Sequence, residues 1–157
     1  MKEINIEENI ENRVIDLITE GSEDRLIVFK PKEDTEVIDL VVKKRGEYKK
    51  REISFQINIF IGPGGMDRIT KDISRENFAP DKSFYLMFVY FDIVKQDVNN
   101  IWIIPSAAFL EVSESRKSED NKPILRFETT TVPEKQDKYA KFLIDKKELG
   151  NFLLEII

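Results

Sequence analysis

Val37-Ile38-Asp39-Leu40-Val41-Val42 and Glu52-Ile53-Ser54-Phe55-Gln56-Ile57-Asn58-Ile59-Phe60-Ile61 are the two runs whose reading decides the fold. Both are rich in the β-branched and aromatic residues that suit a pleated surface, and the second alternates with a period of two. Ile53, Phe55, Ile57, Ile59 and Ile61 fall on one face, and Ser54, Gln56, Asn58 and Phe60 on the other. The pattern predicts two strands, residues 37–43 and 52–61, paired antiparallel across a basic hairpin that turns at Gly46. Asp39, Gln56 and Asn58 then stand in an otherwise apolar sheet. A buried polar group without a partner costs about 1–3 kcal/mol. Each of the three therefore needs a structural partner or a chemical role.

Upstream, Asn5 is placed to cap a helix with Glu8 as its capping-box partner. Ile6, Ile10, Val14, Leu17 and Ile18 follow at helical spacing, and Gly21 stops the run. Glu11 projects at the flank of that apolar face. Leu26-Ile27-Val28-Phe29 reads as a short strand ended by Pro31. Downstream, Gly62-Pro63-Gly64-Gly65 breaks the second strand. It has neither the Gly-Lys-Ser/Thr ending of a Walker loop nor the spacing of a dinucleotide fingerprint. Met66, Ile69 and Ile73 predict a helix over 66–77, and Pro80 lies beyond it. Phe84-Tyr85-Leu86-Met87-Phe88-Val89-Tyr90-Phe91 is apolar on both faces, as a strand buried in the middle of a covered sheet is. It is expected to run parallel to residues 52–61, reached by a crossover through the 66–77 helix. Ile101-Trp102-Ile103-Ile104 is a further strand halted by Pro105, and its aromatic neighbours read as core, not as a base-stacking platform. Ser113 to Lys122 is polar. Ile124 to Glu128 is one more strand. Asp145 opens a last helix bearing Leu149, Phe152, Leu153 and Ile156, with Gly150 as its weak point.

The 157 residues make one domain, with 41% hydrophobic and 35% charged residues and a net charge of −5. There is no Cys and no His. Disulfides, Cys nucleophiles, imidazole bases and zinc sites built on nitrogen or sulfur are thereby excluded. Any metal must be a hard cation held by oxygen. The acidic balance argues against a protein that coats nucleic acid, but it leaves room for a local basic surface. The hairpin carries one: Lys43, Lys44, Arg45, Lys49 and Lys50 are candidates for phosphate contacts, beside the plainer reading of a solvated hairpin tip. No apolar run is long enough to span a membrane and no signal-peptide pattern opens the chain, so a cytoplasmic location without membrane contact is expected.

An acid in one strand, followed in the next by Gln56-Ile57-Asn58, resembles the PD-(D/E)XK nuclease superfamily, the restriction-endonuclease-like fold. The preceding helix with its acid and the long apolar strand downstream extend the likeness. The resemblance implies a mixed α/β fold with an αβββαβ core over about residues 6–105 and a C-terminal strand-plus-helix extension over about 106–157. It implies a metal-dependent DNA endonuclease in which Asp39, Glu11 and the amide oxygen of Gln56 hold Mg²⁺ or Mn²⁺. Those three side chains are expected to converge. The family's Lys is Asn58 here, which has neither charge nor a titratable proton. That departure implies weak or absent catalysis, and a Lys restored at 58 would return the charge. The alternative is a catalytically degenerate module on the same fold that binds nucleic acid, a protein partner or its own copy.

Overall fold

Helix α1 (Ile6–Gly21) opens the computed structural model, which describes residues 5–31, 37–47, 51–76, 78–132, 134–135 and 137–157. The Asn5 side chain accepts hydrogen bonds from the N–H groups of Glu7 and Glu8, relieving two donors that the first helical turn leaves unpaired. Ile10, Val14, Leu17 and Ile18 form its buried stripe. The chain then lays down β1 (Leu26–Phe29), β2 (Leu40–Lys44) and β3 (Ile53–Gly62), each antiparallel to the one before. Strand β5 (Phe84–Asp92) pairs parallel with β3 along its whole length, from Ser54–Phe84 to Gly62–Asp92. The antiparallel and parallel pairings expected from the two opening runs are both present. β2 begins later than the sequence pattern suggests, because Val37 to Asp39 are not paired as a ladder.

The expected helix over 66–77 is absent, and the segment forms β4 (Ile69–Ser74) instead. Ile69 and Ile73 are both buried. Four residues is about one helical turn, but it is also an even number, so the same spacing puts both side chains on one face of a strand. What selects the strand is a partner. β4 pairs antiparallel with β8 (Pro123–Thr129) from Ile69–Thr129 to Ser74–Ile124, and β7 (Glu114–Lys117) pairs with the other edge of β8. The crossover from β3 to β5 therefore passes through a second, three-stranded sheet.

The main sheet is completed by β6 (Asp97–Pro105) and the two-residue β9 (Leu143–Ile144), in the order β1-β2-β3-β5-β6-β9. β6 starts earlier than expected because residues 93–96 make a tight turn. Asp92 Oδ1 accepts from Val94 N–H and Lys95 N–H there. A short helix α2 (Ser106–Val112) follows β6, and α3 (Leu149–Ile156) closes the described chain.

The molecule is a mixed α/β domain with two cores, one on each face of the main sheet. On one face α1 and α3 pack over Ile53, Phe55, Met87, Val89, Ile101 and Ile103. On the other, the second sheet and α2 pack over Leu86, Phe88, Tyr90, Trp102 and Ile104. An aromatic cluster fills that layer. The Phe88 and Phe127 rings are nearly parallel with centroids 3.8 Å apart, and Trp102 meets Phe127 edge-on. The aromatics are core, as their sequence context suggested.

Gly150 is a contact point, not a weakness of the last helix. A Cβ there would lie 2.8 Å from Gly21 Cα and would overlap Gly21 C and Ser22 N. The C-terminus of α1 and the N-terminus of α3 cross at these two glycines. Asp97 ties the same helical layer to the sheet: Arg13 Nε and Lys146 Nζ each donate to its carboxylate at 3.0 Å. Burial pushes the Asp97 carboxyl up, but the bonds from Arg13, Lys146 and the Val98 N–H outweigh it and hold the pKa down at about 2. The crossing yields a prediction whose sign opposes helix propensity. Ala is favoured over Gly in a helix by about 1 kcal/mol, yet Gly150→Ala should destabilise by about 2 kcal/mol or more through overpacking. A shift of the urea midpoint to lower denaturant checks it.

Candidate functional site

Asp39 stands just before β2, at the point where the β2–β3 ladder stops. Its N–H donates to Phe55 O at 2.8 Å, and its Oδ2 accepts from Ile57 N–H at 2.6 Å. The carboxylate thus takes the place that a strand carbonyl would hold, and the two bonds bracket Gln56 on the β3 backbone. Here is one structural reason for an acid at this position: it satisfies a backbone donor that β2 no longer reaches.

Glu11, on the flank of α1, is half-buried and close enough to feel that charge. Desolvation raises its carboxyl above the ordinary range, and the charge of Asp39 raises it further. Lys30 Nζ, 3.9 Å from Glu11 Oε2, opposes the rise. The charge of Asp39 thus reaches Glu11.

Gln56 and Asn58 are arranged differently. In the β3–β5 register Gln56 lies beside Leu86 and Asn58 beside Phe88, both members of the layer that faces the second sheet. By strand alternation their side chains leave the face opposite to α1. Asn58 is only 8% exposed, and its Nδ2 donates to Gln56 Oε1 at 3.2 Å. The two amides satisfy each other in part, and the oxygen expected to meet a cation is engaged with Asn58. Gln56 and Asn58 pair on the face turned away from α1, while Asp39 sits at the β3 edge, where its charge reaches Glu11. Among the described residues no group of three or more Asp, Glu, His or Cys side chains is placed to hold a metal ion. A divalent cation would find two carboxylates here, one of them already accepting from a backbone donor.

Of the hairpin's described basic residues, Lys43 and Arg45 are turned to internal use. Lys43 Nζ pairs with Glu52 Oε2 at 2.9 Å and lies over the Phe29 ring, and Arg45 Nε donates to Asp24 O at 2.9 Å. Lys44 is half-buried, opposite Leu26 in the register. Lys49 and Lys50 lie outside the described residues. Sequence reasoning did not single out Arg51, which bridges Lys82 O and Ile156 O and borders an open groove of about 680 Å³ with Pro80, Asp81, Ser83 and Pro105. In the sequence, Pro80 reads only as lying beyond the expected 66–77 helix, and Pro105 only as the end of a strand. No helix among the described residues is long and apolar enough to cross a membrane. No protein family, curated protein or solved structure matches the chain.

The site makes two predictions. A raised Glu11 pKa means that the folded state binds this proton more tightly than the unfolded chain does. Its contribution favours folding at low pH and is lost as the pH rises through the raised value. Glu11→Gln should therefore raise the melting temperature at neutral pH, with the gain fading as the pH falls below the ordinary value of 4.5. Thermal melts of both proteins across that range test this. Asn58→Lys would put an ammonium beside Phe88 and break the amide pair. A loss of stability on the order of 3 kcal/mol is expected, read by urea unfolding at neutral pH.

Proposed function

We propose that this protein is a binding module on a nuclease-like frame, with a protein partner, and not a working phosphodiesterase. One observation carries the reading: at the position of the family's Lys stands a buried Asn58 that donates to the Gln56 oxygen. Phosphodiester cleavage needs positive charge on the developing transition state beside its metal ions, and this pair supplies none. The internal pairing of Lys43 and Arg45 and the net charge of −5 favour a protein partner over a phosphate backbone.

A second reading, a Mg²⁺- or Mn²⁺-dependent DNA endonuclease, is favoured by the coupling of Glu11 to Asp39. One set of measurements separates the two. The binding module should give no plasmid nicking with Mg²⁺, no site-bound Mn²⁺ in calorimetry, and no DNA affinity that falls steeply with salt. Mg²⁺-dependent nicking that disappears in Asp39→Ala would establish the endonuclease instead.

A further inference from the structure

Among the described residues, the outer edge of β3 is open over its second half. β2 pairs with β3 only from Ile53 to Phe55, and among the described residues no other strand lies on that side. The direction of each backbone group is fixed by its neighbours. Ser54 N–H donates to Ser83 O, and Gly62 O accepts from Ile93 N–H, so even-numbered residues point toward β5. Phe55 O accepts from Asp39, and Ile57 N–H donates to the Asp39 carboxylate, so odd-numbered residues point outward. Ile59 and Ile61 therefore present their N–H and C=O groups at the open edge. Soluble proteins guard such edges with Lys, Pro, bulges or short strands. This one has no charged residue from Ile53 to Ile61 and no Pro before Pro63. Ile61 is 40% exposed.

We propose that this edge pairs antiparallel with the same edge of a second copy of the chain, centred on Phe60. Ile59 of one copy then stands opposite Ile61 of the other, and each such pair exchanges both N–H···O=C bonds. The run Ile59-Phe60-Ile61 reads the same in both directions, so the pairing sets aliphatic against aliphatic on one face and Phe60 beside Phe60 on the other. It leaves the bond between Ile57 and Asp39 intact. A chain of net charge −5 meets its copy here on a strand segment that carries no charge. The contact is isologous, and it closes as a two-fold dimer.

Sedimentation velocity on the full chain over a concentration series up to the millimolar range tests this. The expected result is a reversible dimer that Ile61→Val preserves. Ile61→Pro deletes the outward N–H without touching the β5 ladder, and Ile61→Lys adds charge to an exposed position; each should weaken dimerisation at least tenfold. Circular dichroism melts confirm that both variants fold. A wild-type protein that stays monomeric throughout, including one that binds an unrelated extended peptide, overturns the proposal. So does a dimer that survives both substitutions in folded protein.

Discussion

The parallel ladder between β3 and β5 is the constraint from which the remaining architecture follows. Two adjacent parallel strands cannot be joined by a turn, so the chain must leave the sheet after Gly62 and return at Phe84. β5 is buried on both faces, which obliges the molecule to build two covers. The crossover itself supplies part of one, as β4. Its pairing with β8 then recruits a distant stretch of chain into the same layer. The outer face of that second sheet is solvated and charged. Arg126 there makes a two-pronged pair with Asp72 at 2.7 and 3.0 Å. Part of the high charge content resides there, and such half-exposed pairs add little stability each.

The other cover depends on close approach instead of on aromatic bulk. α1 and α3 meet where neither Gly21 nor Gly150 has a side chain. Asp97, at the start of β6, receives Arg13 from α1 and Lys146 from the turn before α3. The helical layer is thus pinned at its glycine crossing and at one charged clamp. Between these points Ile10, Val14, Leu17 and Ile18 of α1 and Leu149 and Leu153 of α3 are buried against the sheet.

The polar residues of β2 and β3 fit this frame in two separate ways. Asp39 ends one ladder by capping Ile57, and its charge raises the neighbouring Glu11. Gln56 and Asn58 lie on the other side of the sheet and bond to each other. The sheet stands between α1, which carries Glu11, and the amide pair, with Asp39 at the β3 edge. Residue 58 is a buried amide, so the pair carries no positive charge.

Sequence alone determined the strands and their order wherever hydrophobic pattern and local signals agreed. Asn5 and Gly21 bounded α1, the alternation from Ile53 to Ile61 gave β3, and the two-faced run from Phe84 to Phe91 gave the central strand. Its parallel pairing is expected from a helical crossover, and the pairing holds although the crossover is a strand. Tertiary structure decided what depends on partners distant in the chain. Residues 66–77 became a strand because β8 was there to pair with it, and the spacing of Ile69 and Ile73 fits both periods. Gly150 became a helix crossing because Gly21 lies beneath it, a fact no local propensity encodes. That Gln56 lies on the face turned away from α1 and Glu11 was not legible either. Alternation assigns side chains to the two faces of a strand, but which face receives α1 is set only when both layers have packed.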